Sequence, residues 1–348
     1  DYIALYGAKN IIATDWSDAV DLSSVDYTTN RQFINTNADA AVQAINDPGS
    51  ANFRFQVDFA TGNVDRSISA ADAAKLATVD QFNLTGNTTQ GNTNGTLTID
   101  ADAFVPGSVV LAALDTISAE TGGNTNNLII ADVGGNNGTN IDLKSLATLT
   151  DIDAITITGD TGANQIQLSS ALTTHGSVTL DLVSDAANDV VIFNIADSDF
   201  KGASHSADLG MTLVSNFNVT HDQFAVMVKG ASGREFSTAT SQFQSGTANL
   251  TDDLTFVEYD SLLKNGSVSN MNTVAEIKTD IARAIANFTS GADRLTYATY
   301  LSDGTNHTAV LAAADLAGVT SDKSNLVSGD SFEVAAIAEL RGVQNGAL

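Results

Sequence analysis

Short apolar runs recur along the middle of the chain at a nearly constant spacing. Each run is flanked by Gly, Asn and Asp and begins roughly 11 to 14 residues after the one before. The runs are Leu128–Ile130, Ile141–Leu143, Ile155–Ile157, Ile166–Leu168, Val178–Leu182 and Val190–Phe193. Because no helix fits between runs this close together, the pattern predicts strand, polar turn and strand again, repeated as a solenoid or a sandwich.

The first part of the chain mixes two kinds of pattern. Alternation predicts strands at Tyr2–Tyr6 and Phe53–Phe59, and helical spacing predicts short helices at Asp39–Ile45 and Ser69–Val79. The stretch Thr85–Gly95 contains no apolar side chain, which is typical of a linker or an exposed loop. We therefore expect a domain boundary near this stretch.

The last part of the chain carries the strongest helical pattern. Apolar residues line one face over Met271–Phe288, and Gly291 is placed to end this helix. Arg294–Leu301 and Thr308–Ala313 flank a polar SDGTNH segment and predict a hairpin. Phe332–Leu340 is a final apolar run that fits either a strand or a short helix.

Together these patterns predict a mainly β protein with a β-roll, β-solenoid or sandwich core and small α+β flanking regions. Three regions follow: a mixed α/β region over 1–90, the repetitive β region over 91–230, and an α+β region over 231–348.

The net charge of the chain limits the classes of molecule that it can bind. Asp and Glu number 41 against 15 Lys and Arg, a formal net charge of −26. Nucleic acids and anionic membranes would be repelled by such a surface. Clustered carboxylates favour hard divalent cations such as Ca²⁺, although a marine or halophilic habitat also selects acidic surfaces.

Other features of the composition indicate an extracellular location. The chain has no cysteine, so neither disulfides nor thiolate metal sites can form. No run approaches 18 consecutive apolar residues, so we expect no membrane insertion. The sequence begins at Asp1 without Met or an apolar leader, as expected of a processed form or of part of a longer protein.

Three stretches resemble the RTX nonapeptide G-G-x-G-x-D-x-U-x, in which U is a large aliphatic residue. In that motif the glycines permit a tight turn whose backbone carbonyls point inwards, the Asp is a calcium ligand, and U packs the core. The stretches are Gly134–Asp142, Gly159–Gln167 and Ser184–Ile192. The first fits with a one-residue insertion, and the other two lack some or all of the glycines.

The segment that follows these stretches resembles the C-terminal module of serralysin-type proteins. There the last repeat runs into an aromatic-ended strand, and a later closing strand caps the roll; Val214–Phe217 and His221–Phe224 stand in its place here. The C-terminal helix, hairpin and apolar end resemble the tails of type I-secreted bacterial S-layer proteins and adhesins. These resemblances imply type I secretion and a calcium-stabilised β-roll that folds outside the cell.

The resemblance places candidate calcium ligands at Asp160, Asn164, Asp185 and Asp189. An alternative interpretation is that these are ordinary turn residues, since short polar side chains bond their own backbone.

Known catalytic motifs are missing from the sequence. There is no H-E-x-x-H, G-x-S-x-G or phosphate-binding glycine loop. A calcium-dependent lyase on a β-helix needs basic residues, and between 96 and 195 only Lys144 is basic. We therefore expect no enzymatic activity.

Our first hypothesis is a secreted surface protein that self-assembles into an S-layer or a filament. Few Lys or Pro residues blunt its strand edges, so strand addition between copies is a route to polymers, and Asp1–Ile12 is a candidate donor strand. The alternative is a secreted calcium-dependent adhesin or carbohydrate-binding module that recognises a surface glycan. The presence of a single tryptophan, Trp16, counts against that alternative.

Overall fold

The computed structural model forms two compact units, Asp1–Gln167 and Leu168–Leu348. It describes residues 10–13, 31–35, 53–58, 64–68, 80–85, 95–100, 111–119, 125–131, 138–229, 235–239, 255–258, 271–285, 294–302, 307–319 and 327–343. Strands dominate these ranges, which confirms the prediction of a mainly β protein. Within them, no helix combines the length and apolarity needed to span a membrane.

The first unit is built from short strands. They are β1 Asn10–Ala13, β2 Arg31–Asn35, β3 Phe53–Asp58, β4 Val64–Ile68, β5 Gln81–Thr85, β6 Gly95–Asp100, β7 Thr116–Ala119, β8 Asn126–Ala131, β9 Asn140–Leu143, β10 Thr148–Thr150, β11 Ala154–Thr158 and β12 Gln165–Leu168.

In two sheets of this unit the neighbouring strands pair in parallel. One sheet has the order β1-β2-β3-β5-β7-β10, and every neighbouring pair in it is parallel. In a second sheet β4, β6, β8 and β11 are successive parallel neighbours. β9 neighbours β12 in a third sheet. The chain therefore alternates between sheets and returns to lay each new strand beside an earlier one.

An in-register column of isoleucines fills the interior beside β4, β6, β8 and β11. Ile68 pairs with Ile99, Ile99 with Ile130, and Ile130 with Ile157. All four side chains are fully buried. Because side chains alternate between faces along a strand, parallel pairing in register stacks the same face of each strand onto the core. Burial of this aliphatic column removes apolar surface from water and so stabilises the stack of strands.

In its described residues the second unit combines parallel and antiparallel strands with two α-helices. Its elements are α1 Ser170–Thr173, β13 Val178–Asp181, β14 Val190–Ile195, β15 Thr212–Ser215, β16 Gln223–Lys229, β17 Glu235–Ala239, β18 Thr255–Glu258, α2 Val274–Ile285, β19 Arg294–Ser302, β20 His307–Asp315 and β21 Glu333–Arg341.

Two sets of strands are paired in this unit. β13, β15 and β21 are parallel neighbours, β20 runs antiparallel to both β21 and β19, and β18 lies parallel to β19. β14 and β16 are parallel, and β17 runs antiparallel to β16. The column Leu180, Val214 and Leu340 is in register and fully buried, so this unit uses the same aliphatic stacking.

Helix α2 covers one face of the antiparallel strands. Its residues Val274, Ile277 and Ile281 belong to one buried cluster with residues of β20 and β21. The helix begins with a capping box, in which the Thr273 hydroxyl accepts the backbone N–H of Glu276 at 3.3 Å and the Glu276 carboxylate accepts that of Thr273 at 3.2 Å. The helix predicted over 271–288 is thus confirmed over Val274–Ile285, and residues 286–288 lie outside the described residues.

Most strand predictions within the described ranges are confirmed. Five of the six apolar runs of the repeat lie wholly in strands between β8 and β14, and the sixth, Val178–Leu182, extends one residue past β13. The predicted hairpin forms as β19 and β20, paired from Arg294 opposite Asp315 to Ser302 opposite His307. The final apolar run forms a strand, β21, and the strand predicted at Phe53–Phe59 forms β3.

Other predictions lie outside the described residues. They include the strand at Tyr2–Tyr6, residues 1–9 of the candidate donor strand Asp1–Ile12, the two N-terminal helices, the interior of the polar linker and the helix stop at Gly291. The division into three regions stays a prediction.

Candidate metal-binding corners

The predicted ligands Asp160 and Asn164 lie in one turn of the first unit. We call residues 138–139 and 159–164 the first corner. The turn 159–164 joins β11 to β12, and residues 138–139 directly precede β9. Asp160 is 4% exposed and Asn164 is 1% exposed, so both side chains are buried against backbone.

Asp160 accepts backbone N–H groups with both of its carboxylate oxygens. Oδ1 accepts the N–H of Gly162 at 2.7 Å, within its own turn. Oδ2 accepts the N–H of Gly138 at 3.0 Å, across to the neighbouring connection. The negative charge of Asp160 is therefore directed at amide donors of two separate segments.

Asn164 is saturated in a complementary way. Its Oδ1 accepts the N–H groups of Thr139 at 3.1 Å and Asp160 at 3.2 Å. Its Nδ2 donates to the carbonyl oxygens of Asp160 at 3.0 Å and Gly162 at 2.9 Å. One amide side chain thus satisfies two donors and two acceptors of the backbone, which buried polar groups require.

Two glycines allow this close packing. Gly138 has a φ of +74°, and a Cβ there would lie 2.0 Å from the carbonyl oxygen of Ala163. A Cβ on Gly159 would lie 2.7 Å from Nδ2 of Asn164. Gly138 is therefore needed for contact between the two connections, and Gly159 for packing within its own turn.

The other two predicted ligands lie in the second unit. We call residues 185–189 and 218–222 the second corner; the former lie between β13 and β14, and the latter between β15 and β16. Asp189 is 1% exposed, and its N–H donates to Oδ1 of Asp222 at 3.2 Å. Oδ2 of Asp222 accepts the N–H of Asn218 at 2.6 Å.

Asp185 occupies the same corner. Its Oδ1 accepts the N–H of Ala187 at 2.6 Å, and its carbonyl oxygen accepts Nδ2 of Asn218 at 3.1 Å. Its Oδ2 is a buried atom that makes no hydrogen bond in the structure. One carboxylate oxygen of the second corner is therefore buried without a hydrogen-bond partner, and we call it the open oxygen.

Burial controls the electrostatics of Asp222. It raises the pKa of Asp222 above the usual 3.8, and the N–H groups of Asn218 and Asp189 lower it. The nearby carboxylate of Asp185 raises the pKa of Asp222 further. Burial and the neighbouring Asp185 carboxylate therefore disfavour the charged form of Asp222, and His221 partly offsets them.

The two corners differ as hosts for calcium, which takes six to eight oxygen ligands. At the first corner the two predicted ligands are engaged, because every side-chain oxygen of Asp160 and Asn164 already accepts an N–H, while the buried Oγ1 of Thr139 makes no hydrogen bond. The second corner offers the Asp185 oxygen beside the carboxylate of Asp222. Across the described residues, no three or more His, Cys, Asp or Glu side chains are grouped so that they could hold a metal ion.

Each corner also contains residues that were not among the predicted ligands. Gly138 and Thr139 complete the first corner, and Asn218 and Asp222 complete the second. The signal that could have found Thr139 and Asp222 is their position, because each directly precedes a strand, as Asn164 and Asp189 do.

Comparisons with known proteins add no relative. No family model, curated protein or solved structure matches this chain. The fold itself defines a mainly β protein with parallel, in-register strands and buried polar corners.

Proposed function

We propose that this chain is a structural protein of a bacterial surface that self-assembles into an S-layer or an extracellular filament. The observation that carries the proposal is the in-register isoleucine column from Ile68 to Ile157. A core that repeats with each added strand is the design of solenoid proteins, in which each repeat contacts its neighbours. On this proposal the parallel stack is a β-solenoid or β-roll that serves as a scaffold.

The acidic side chains support a scaffold role. In the corners they accept main-chain N–H groups, as Asp160 and Asp222 do. Carboxylates that accept main-chain N–H groups in this way fix the path of the backbone between strands.

Calcium is part of the proposal at the second corner alone. The open oxygen of Asp185 and the raised pKa of Asp222 are the observations that support an ion there. A divalent cation would neutralise the repulsion between these carboxylates and link folding to the calcium concentration outside the cell.

Edge strands of the first unit support assembly through strand addition. Among the described strands, β1 and β4 each end a sheet, and β2 and β6 are their respective neighbours. The unpaired backbone groups of an edge strand can bind a strand from another copy. Such head-to-tail contacts generate open filaments or lattices.

The proposal is tested by calcium titration of the purified full chain. Protein prepared in EGTA is titrated with Ca²⁺ while circular dichroism and light scattering are recorded. We expect particle growth at millimolar Ca²⁺ with filaments or sheets visible by electron microscopy. A protein that remains monomeric throughout would refute self-assembly.

A matched pair of variants tests the calcium site. Asp185→Asn removes the open oxygen, and Asp208→Asn removes one charge from an exposed position of the same unit. We expect the calcium midpoint to rise about tenfold or more for Asp185→Asn and to stay unchanged for Asp208→Asn. Equal midpoints in both variants would exclude Asp185 as a ligand.

A further inference from the structure

The first corner contains an arrangement that resembles an occupied cation site. The carbonyl oxygens of Asp160 and Gly162 both point at one atom, Nδ2 of Asn164, at 3.0 and 2.9 Å. In an ion-binding turn, inward carbonyls of this kind coordinate the cation. The group at their focus here is the amide nitrogen of Asn164.

We infer that Asn164 takes the place of a calcium ion at the first corner, so that this corner is closed without metal. Its two amide hydrogens meet the carbonyls that would otherwise need a cation. Its oxygen meets the N–H groups of Thr139 and Asp160, which a cation would repel.

The charge of Asp160 is balanced by the same network. The N–H groups of Gly138 and Gly162 point at its carboxylate. With the two N–H groups that Asn164 accepts, four backbone donors converge on the corner. Converging N–H dipoles stabilise negative charge and disfavour a cation, so the corner selects against Ca²⁺ electrostatically.

The residue type at position 164 determines whether the first corner excludes Ca²⁺. Asp189 of the second corner also directly precedes a strand, but it is a carboxylate and cannot donate to turn carbonyls. An Asp at 164 would leave the carbonyls of Asp160 and Gly162 without their donor and would add a second buried negative charge. Both changes create a demand for a cation. The inference does not depend on the proposed function.

The test compares Asn164→Asp and Asn164→Ala with the unmodified full chain. Calcium binding is measured by calorimetry, and the thermal unfolding midpoint is measured in EGTA and in millimolar Ca²⁺. We expect Asn164→Asp to bind one more ion than the unmodified chain and to gain a calcium-dependent rise in the midpoint. We expect Asn164→Ala to lower the midpoint equally in both solutions.

The outcomes separate this inference from the proposed calcium site. Failure of Asn164→Asp to gain calcium binding would overturn the inference, as would loss of a bound ion in Asn164→Ala. If Asn164→Ala does not fold, Asn164→Asp and a further variant, Asp160→Asn, still test the inference. Loss of a bound ion in Asp160→Asn would place calcium at the first corner and would overturn it. Absence of calcium binding in the unmodified chain would contradict the Asp185 site and leave this inference supported by Asn164→Asp.

Discussion

Asn164 accepts the backbone N–H of Thr139, 25 residues earlier in the chain, at 3.1 Å. Asp222 stands in the same relationship to Asp189, 33 residues earlier, at 3.2 Å. In both cases the two residues directly precede neighbouring strands, β9 and β12 or β14 and β16. A side chain at the start of one strand thus holds the start of the strand beside it, and this link repeats in each unit.

Interior and outward positions of the same strand should respond differently to truncation. Ile130 is fully buried in the isoleucine column, and its neighbour Ile129 lies on the opposite, half-buried face. We expect Ile130→Ala to lower the free energy of unfolding by about 2–5 kcal/mol, because it leaves a cavity in the column. Ile129→Ala should cost about 1 kcal/mol, the scale of strand propensity. Urea denaturation measures both, and equal losses would contradict the assignment of faces.

Two glycines with positive φ separate conformational strain from steric contact. Gly138 and Gly342 have φ values of +74° and +84°, but only a Cβ on Gly138 meets nearby atoms. Gly342→Ala should cost about 1–2 kcal/mol for the left-handed conformation. Gly138→Ala should cost clearly more, since its Cβ would lie 2.0 Å from the Ala163 carbonyl oxygen. Thermal unfolding provides the comparison, and a smaller loss for Gly138→Ala would show that the first corner is not packed in this way.

Asp199 should make stability depend on pH. Burial raises the pKa of Asp199 above 3.8, while the Ala196 N–H, Lys201 and Ser170 lower it. A carboxyl whose folded-state pKa is raised contributes stability that is present at low pH and is lost as pH rises through that pKa. The unmodified chain should therefore gain stability relative to Asp199→Asn as pH falls from about 7 to about 4.

The measurement is urea denaturation of both proteins at a series of pH values. Asp197→Asn is the control, because it removes an exposed carboxylate from the same short turn. A difference between the unmodified chain and Asp199→Asn that is flat with pH, or that grows towards neutral pH, would contradict the assignment.

Lys278 should anchor helix α2 to the turn before β21. Lys278 is 2% exposed. Its Nζ donates to the carbonyl oxygen of Asp330 at 2.6 Å and lies 4.4 Å from the ring centroid of Phe332. Burial lowers the pKa of Lys278. We expect Lys278→Ala to cost about 2–4 kcal/mol through the cavity and the unbonded carbonyl.

A second variant separates the two contributions at Lys278. Lys278→Met retains most of the packing on Phe332, and it should cost about 1–2 kcal/mol for the carbonyl alone. Both values come from chemical denaturation. A Met variant that is as unstable as the Ala variant would show that packing of the methylene chain contributes little.

The strands could be predicted from the sequence because their signal is local. Leu128 and Ile130 alternate with half-exposed neighbours, and Gly, Asn and Asp mark where each run stops. The partner of each strand could not be predicted, because pairing joins residues as far apart as Leu128 and Ile155. Either a solenoid or a sandwich satisfies the same local alternation.

In the corners, too, only the local contacts could be predicted from the sequence. A turn role for Asp160 and Asn164 follows from their residue types, and their contacts with each other are local. Their bonds to Gly138 and Thr139 depend on which connection lies alongside, and this is decided by strand pairing. For that reason Asp222 could not be predicted as a corner residue.

Disulfide trapping of the register between β8 and β11 tests the central claim most directly. Ile129 and Thr156 are Cα partners on the half-buried face, and the chain has no native cysteine to interfere. Under mild oxidation the double variant Ile129→Cys, Thr156→Cys should form an intramolecular disulfide, because paired strands lie within the Cα separation that a disulfide spans. The slipped pair Ile129→Cys, Thr158→Cys should remain reduced. Equal or preferential closure of the slipped pair would contradict the in-register parallel stack.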